Sequence, residues 1–204
     1  MPEQSGLQQP DPRRRSEKSR RAILDAALDL CEEQGYGPVT VEAIAARAGV
    51  SKKTIYRWWP SKGAVVLEAV DDAANPAAGF PDTGDLREDL ATQLEGLLRG
   101  LLADQRTGRA LSGLIADTQH DPALARGLDE ELIQPRADEA RARLARARAL
   151  GQIHPEADAE LAMELLYGPV YYRLLLHQGD LHSGEEIATL VDHVMRALAP
   201  PGAP

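Results

Sequence analysis

Apolar residues recur at helical spacing along most of this chain of 204 residues. Near the N-terminus, Ile23, Ala26, Ala27 and Leu30 share one face of a helix that the glycines on either side of Tyr36 would end. The same spacing predicts further helices over residues 86–104, 108–118, 122–150 (kinked at Pro135), 155–177 and 183–198. No segment has the alternation of a strand. The predicted fold class is therefore all-α.

Three short helices joined by tight turns are predicted after the first helix. Thr40 can cap one of them, and Gly49 ends it, because a sharp turn favours a residue that tolerates positive φ. Ser51 can cap the next helix, which Pro60 cannot continue, and Ser61 can cap the third. Two short helices with a four-residue join have the spacing of a helix-turn-helix, whose second helix fits the DNA major groove.

Breaks in the periodicity suggest the domain organisation. The first residues show no period, so we expect a flexible arm over residues 1–15, a helix-turn-helix domain over residues 16–62 and a helical effector-binding and dimerisation domain over residues 63–200. A loop is expected over residues 71–85. Arg13–Arg15 end the arm, and they fit either an arm that reaches the minor groove or a solvated tail.

The composition favours a helical protein with a substantial core. The chain is 43% hydrophobic and 4% aromatic, and it is rich in alanine, leucine and arginine. Its one cysteine, Cys31, cannot form an intramolecular disulfide, which fits a reducing cytoplasm. No apolar run approaches the roughly 20 residues of a membrane span, and the N-terminus lacks the apolar stretch of a signal peptide. We therefore expect a cytoplasmic protein without a membrane partner.

The net charge of −9 hides an asymmetry along the chain. Residues 13–70 hold 11 lysines and arginines against 7 acidic residues, whereas residues 71–204 hold 12 arginines, no lysine and 23 acidic residues. A basic N-terminal segment on an acidic body suggests a local binding site for a polyanion, although a net charge of +4 over such a segment also fits ordinary scatter.

The second helix of the predicted helix-turn-helix is rich in hydrogen-bond donors. Its exposed positions would be Lys52, Lys53, Thr54, Tyr56, Arg57 and Trp58. No acidic residue occurs between Arg47 and Lys62, and a carboxylate there would repel phosphates. A plain helical hairpin with a basic face is the alternative.

Residues 40–62, TVEAIAARAGVSKKTIYRWWPSK, resemble the TetR family of bacterial regulators. The resemblance rests on some ten positions, among them Thr40, the turn from Ala48 to Ser51, Tyr56 and Lys62. It implies a transcriptional regulator, usually a repressor that a small-molecule effector releases from a palindromic operator in double-stranded DNA. Two positions depart from the family pattern: Lys53 stands where glycine is frequent, and Trp58 where histidine or tyrosine is frequent.

The resemblance also implies roles in DNA binding for particular residues. Thr40 and Lys62 would hold phosphates from the first turns of their helices. Lys52, Lys53 and Thr54 would approach bases or phosphates. The remaining candidates are Tyr56, which would donate its hydroxyl to a phosphate, Ser51, Arg47 and Trp58, the last of which packs either on the DNA backbone or on its own domain.

Dimerisation is expected because one helix-turn-helix makes too few contacts for specific binding. The family resemblance implies a homodimer formed by the last two long helices. An apolar stripe of Leu161, Leu165, Tyr172 and Leu176 agrees with this expectation. The alternative is that these residues pack only within the monomer.

The helices of residues 86–178 would also enclose an effector pocket. The candidate lining residues are Leu94, Leu98, Leu114, Thr118, Met163, Tyr167, Val170 and Tyr171. The alternative, which the sequence favours for each single residue, is ordinary core. Binding would move the helix that begins at Ser61 and lower DNA affinity.

A helical enzyme and a helical adaptor are the rival classes. The five histidines show no metal-ligand spacing, and no nucleotide-binding or nucleophile motif occurs, so we expect no catalytic residue, no metal and no cofactor. An adaptor that binds only protein would not need a lysine-bearing helix without acidic residues.

Overall fold

The structure is a computed structural model that describes residues 12–74, 79–101, 105–176 and 184–199, with the side chains of residues 12–15 and 101 left out. Over these ranges the chain forms helices and no strand, which confirms the all-α fold class. The helices are α1 (Pro12–Gln34), α2 (Val41–Ala48), α3 (Lys52–Tyr56), α4 (Lys62–Ala74), α5 (Leu86–Leu101), α6 (Gln105–Thr118), α7 (Pro122–Gly127), a π-helical segment (Leu128–Ile133), α8 (Gln134–Ala149), α9 (Ala159–Leu176) and α10 (Gly184–Leu198).

The first helix begins earlier than the sequence pattern predicted. Residues 12–15 already belong to α1, so the arginines at 13–15 continue a helix instead of ending an extended arm. Residues 1–11 lie outside the described residues, as does Ser183, the predicted cap of the last helix. The flexible arm over residues 1–11 and the cap at Ser183 therefore stay predictions.

The short helices α2 and α3 follow the predicted caps. Thr40 is extended and its side chain accepts a hydrogen bond from the Ala43 amide, while Gly49 ends α2 with a φ of 66°. Ser51 accepts from the amide of Thr54 at the start of α3. The caps thus satisfy the first amides of both helices and fix where each one begins.

Three later elements differ from their predictions. Helix α4 continues to Ala74, into the segment that was predicted to be a loop. The predicted single helix over residues 122–150 is divided into α7, a π-helical segment and α8, and the wider π-helical turn before Pro135 accommodates a proline that cannot donate a backbone hydrogen bond. Helix α9 begins at Ala159 rather than at Pro155, because the Asp158 carboxylate accepts from the amides of residues 160 and 161.

The helices pack around two hydrophobic cores. The first core joins α1–α4 to α6, α7 and the π-helical segment, whereas the second joins α5, α8, α9 and α10. The predicted domain boundary after residue 62 falls within the first core, because α4 packs there against α1. No helix in the described part of the chain is long and apolar enough to cross a membrane.

A buried ion pair holds the second core together. Arg143 on α8 donates to Asp89 on α5 over 2.6 Å, and their side chains are 2% and 0% exposed. Asp89 also accepts from the amide and the hydroxyl of Thr83. Burial alone would raise the pKa of Asp89, but these hydrogen bonds outweigh it and hold the pKa below its ordinary value.

Candidate nucleic-acid interface and effector cavity

The helix-turn-helix is fixed from its buried side. Ile44 on α2 and Ile55 on α3 are fully buried, and Trp59 is nearly so, which confirms the predicted inward residues. The Trp59 indole nitrogen donates to the Glu68 carboxylate on α4 over 2.5 Å. The opposite faces of α2 and α3 are consequently directed to solvent.

The solvent-facing side brings most of the predicted DNA-binding residues together. Residues 40, 47, 51, 52, 53 and 56 are exposed, and residues 54 and 58 are half-buried. Tyr56 is 54% exposed. The hydroxyls of Ser51 and Thr54 lie 2.9 Å apart at the start of α3.

Two of the predicted cations on this face already have acidic partners. Arg47 makes a two-pronged pair with Glu33 on α1 at 2.8 and 2.6 Å, and Lys52 lies 3.1 Å from Glu42 on α2. These hydrogen bonds lower the pKa of both carboxyl groups. The sequence showed that the stretch from Arg47 to Lys62 lacks acidic residues. It did not show that α1 and α2 bring two carboxylates to its edge.

Lys53 and Tyr56 differ from these paired cations. Neither side chain makes an ion pair or a hydrogen bond with the described residues. Next to them, Arg57 lies 4.9 Å from the centre of the Trp58 ring, and Trp58 packs edge-to-face on Trp59. Trp58 therefore covers the core and orients Arg57.

Lys62 does not join this face. Its ammonium group donates to the carbonyls of Tyr36 and Gly37 at 3.2 and 2.9 Å, and it lies 4.3 Å from the Tyr36 ring centre. The Tyr36 hydroxyl in turn donates to Asp117 on α6 over 2.7 Å. Lys62 thus ties the start of α4 to the end of α1, where the family resemblance implied a phosphate contact.

A cavity of about 410 Å³ lies where the two cores meet. Leu97 packs against both cores, Tyr171 against the first core and Tyr167 against the second. The cavity is lined by Ala74, Gln93, Leu97, Leu132, Ile133, Gln134, Arg136, Ala137, Arg141, Glu160, Met163, Glu164, Tyr167, Gly168 and Tyr171. Its volume falls in the range of small-molecule sites.

Only part of the predicted pocket lining is found there. Met163, Tyr167 and Tyr171 line the cavity. The other candidates lie elsewhere: Leu94, Leu98 and Val170 in the second core, Leu114 in the first, and Thr118 at the end of α6, where its hydroxyl donates to the Ile115 carbonyl. The sequence missed the residues from the π-helical segment and α8, because no periodicity marks where two helices fail to fill the space between them.

The cavity arginines are held by carboxylates. Arg136 lies 3.0 Å from Asp71 on α4 and donates to the Leu132 carbonyl over 2.7 Å. Arg141 donates to Asp138 and Glu160, each at 2.6 Å, and its hydrogen bond lowers the pKa of Glu160. Arg136 thereby connects the cavity lining to α4, which packs against α1 and accepts a hydrogen bond from Trp59 through Glu68.

Comparisons with known proteins cover both parts of the chain. A family model described as "Bacterial regulatory proteins, tetR family" matches residues 23–69. A second, described as "Tetracyclin repressor-like, C-terminal domain", matches residues 80–194. These two ranges contain the helix-turn-helix and most of the cavity.

Relatives and solved structures agree with these family matches. The chain is 37% identical to the HTH-type transcriptional regulator YdeS of Bacillus subtilis, over 91% of this chain and 92% of that protein. It is 33% identical to the DNA-binding transcriptional repressor TetR of Mycobacteroides abscessus, over 93% and 98%. The crystal structure of the TetR family transcription regulator SCO0332 matches with a TM-score of 0.67 and 36% identity, over 90% of this chain and all of that chain (100%). The chain therefore belongs to the TetR family and is a DNA-binding transcriptional regulator with a helix-turn-helix.

Proposed function

We propose that this regulator binds a palindromic operator as a homodimer and is released when a small molecule occupies the cavity beside α4. The observation that carries the proposal is the exposed face of hydrogen-bond donors on α3, held outward by two capped helices and a buried core. Binding to the operator would repress transcription of the adjacent gene.

DNA would meet two kinds of donor on this face. Lys53 and Tyr56, which have no partner among the described residues, would contact bases or phosphates directly, together with Thr54 and the hydroxyl of Ser51. Lys52 and Arg47 would release the carboxylates of Glu42 and Glu33 and contact phosphates instead. Since both ion pairs are exposed, this exchange costs little.

Three further predicted DNA-binding residues would act less directly. The exposed Thr40 would offer its first helical turn to a phosphate. Trp58 would keep Arg57 aligned along the DNA backbone. Lys62 would offer the first turn of α4 to a phosphate, while its ammonium group holds the carbonyls of Tyr36 and Gly37.

An exposed apolar stripe on α9 supports the homodimer. Leu161, Leu165, Tyr172 and Leu176 are 50%, 42%, 58% and 54% exposed. Leucines and a tyrosine in one stripe at helical spacing are unusual on the surface of a monomer, whereas a second copy packing α9 and α10 against them would bury them.

Leu165→Arg tests the dimer. We expect this substitution to give monomers in analytical ultracentrifugation and to weaken operator binding, since a charge would lie in an apolar interface. Leu150→Arg is the matched control, because Leu150 is 57% exposed at the end of α8, away from the stripe. A Leu165→Arg protein that remains a dimer would exclude this surface as the interface.

The contact between Arg136 and Asp71 supports the link from the cavity to DNA. Ala74, at the end of α4, lines the cavity, and Arg136 holds Asp71 one turn earlier on the same helix. The same half of α4 is tied to α1, because Arg20 donates to Glu68 over 2.6 Å and to Asp72 over 2.8 Å. A ligand that displaces the end of α4 would therefore move the helix-turn-helix and change the spacing of the two α3 helices in a dimer.

The operator proposal is tested by selecting genomic fragments that the purified protein retains in the presence of competitor DNA. We expect a shared inverted repeat, with half-sites about one helical turn apart and two protomers bound per site. Selected fragments without internal symmetry, or a single protomer per site, would contradict the palindromic operator.

A further inference from the structure

Two tyrosine hydroxyls at the cavity have no hydrogen-bond acceptor among the described residues. The Tyr167 hydroxyl is buried and has no acceptor for its proton among the described residues, although the Gln93 side-chain amide lies near its oxygen. Tyr171, one helical turn later on α9, makes no hydrogen bond with the described residues. Burial raises the pKa of Tyr167 to about 12, against an opposing effect of the Gln93 amide. Burial also raises the pKa of Tyr171. Both phenols are therefore neutral hydrogen-bond donors at physiological pH.

An unpaired buried hydroxyl is costly, and the cost is removed when an acceptor reaches it. The remaining lining is mainly apolar, with Leu97, Leu132 and Met163 among its side chains. A molecule that fits this space would gain most of its affinity from burial and its orientation from one or two hydrogen bonds.

The charges at the cavity disfavour an anion. Arg136 is paired with Asp71, and Arg141 with Asp138 and Glu160, so neither offers an uncompensated positive charge. Glu164 also lines the cavity and makes no ion pair with the described residues, so the charge left over is negative. A carboxylate ligand would have to break an existing pair and would lie close to Glu164.

We propose that the cavity takes a neutral, mainly apolar organic molecule with a hydrogen-bond acceptor, such as a carbonyl oxygen, directed at Tyr167 and Tyr171. This inference rests on the proposed effector function and names the chemical class of the effector. It assigns the two hydroxyls the role of selecting molecules with an acceptor over plain hydrocarbons of the same shape.

Four probes with the same pair of rings test the proposal: benzophenone, diphenylmethane, diphenylacetate and protonated benzhydrylamine. Their affinities for the full-length protein are measured by titration calorimetry or ligand-observed NMR. We expect benzophenone to bind best, about three- to tenfold more tightly than diphenylmethane, as one net hydrogen bond provides. Diphenylacetate should bind more weakly than the hydrocarbon.

The Tyr167→Phe/Tyr171→Phe variant provides the control within the same site. Its affinity for benzophenone should fall to that of diphenylmethane, while diphenylmethane itself binds as it does to the wild type, which also shows that the cavity is intact. Tightest binding of the carboxylate or the amine, a preference for the ketone that survives in the variant, or no binding of any probe up to its solubility limit would overturn the proposal.

Operator affinity with saturating benzophenone separates the two proposals. A probe that binds through the tyrosines without changing operator affinity would contradict the effector function and leave the ligand class standing. A change in operator affinity that the double variant abolishes would support both.

Discussion

The DNA-binding face of α2 and α3 and the helical body formed by α5 to α10 both contain ion pairs between an acidic and a basic side chain. The pairs of the face are exposed, whereas the central pair of the body is buried. On the face, Arg47–Glu33 and Lys52–Glu42 have all four side chains more than a third exposed. In the body, the Arg143–Asp89 pair is almost completely buried. The first pairs can be exchanged for contacts with phosphates, whereas the last cannot be opened without leaving a charge in the core.

This difference separates residues that bind DNA from residues that hold the helices together. Exposed pairs keep the cations of the face in place while DNA is absent and release them at small cost. The buried pair instead fixes α5 against α8, and those two helices supply Gln93, Leu97, Arg136 and Arg141 to the cavity. We therefore expect substitutions in the body to affect stability most, and substitutions on the face to affect DNA affinity alone.

Asp89→Asn should have the largest effect on stability. Among the described residues, the substitution leaves the buried Arg143 only the more distant Asp82, at 3.4 Å, as a charged partner, and we expect a loss of about 3–5 kcal/mol in the free energy of unfolding. Urea denaturation at pH 7 measures it. Asp192→Asn, which breaks the exposed pair with Arg87, is the control and should change stability little.

The pH dependence of the stability difference between wild type and this variant tests the lowered pKa of Asp89. Because the pKa of Asp89 is lowered by folding, its contribution is fully present above the ordinary carboxyl pKa and is lost as the pH falls through the lower folded value. The wild type should therefore lose its advantage over Asp89→Asn below about pH 4. An advantage that stays constant down to pH 2 would contradict the lowered pKa.

Gly113→Ala should have an intermediate effect, at the junction of the two regions. A Cβ atom on Gly113 of α6 would clash with the Cβ and the ring of Tyr36, so α6 and the turn after α1 must separate. We expect a loss of roughly 1–3 kcal/mol in thermal or urea unfolding. Gly96→Ala, which meets open space on α5, should instead stabilise the protein by up to about 1 kcal/mol. Equal effects of the two substitutions would mean that the junction is not tightly packed.

Glu42→Gln should have the smallest effect and change DNA affinity only. Without the carboxylate, Lys52 no longer exchanges partners, so operator affinity should rise about threefold at low salt and by less as salt screens the charges. Fluorescence anisotropy measures it, with Glu95→Gln on α5 as the control. A fall in operator affinity would show that the Lys52–Glu42 pair supports the bound state.

Local signals predicted the helix-turn-helix well. Thr40, Ser51 and Gly49 act within a few residues of their own position, so their roles could be predicted from the sequence alone. The start of α9 was missed although Asp158 is an ordinary capping residue, because the proline at 155 is an equally ordinary first residue of a helix. Local signals of equal strength leave such a boundary undecided.

Nonlocal features could not be predicted in this way. Glu33 reaches Arg47 only after α1 has packed against α2, and Asp71 reaches Arg136 only after α4 and α8 have come together. Nothing in the sequence spacing relates these residues. The cavity depends on the same packing, which explains why Met163, Tyr167 and Tyr171 were identified from α9 alone while its other walls were missed.

The most direct test of the account is the affinity of the Lys52→Ala/Lys53→Ala variant for the operator, measured by fluorescence anisotropy over a salt series beside wild type and Arg99→Ala. Arg99 is an exposed arginine of the body, so its loss controls for overall charge. We predict that the double variant loses on the order of 100-fold in operator affinity and has a shallower salt dependence, while Arg99→Ala binds as wild type does. Operator binding by the double variant as tight and as salt-dependent as that of wild type would contradict the assignment of α3 as the DNA-binding element.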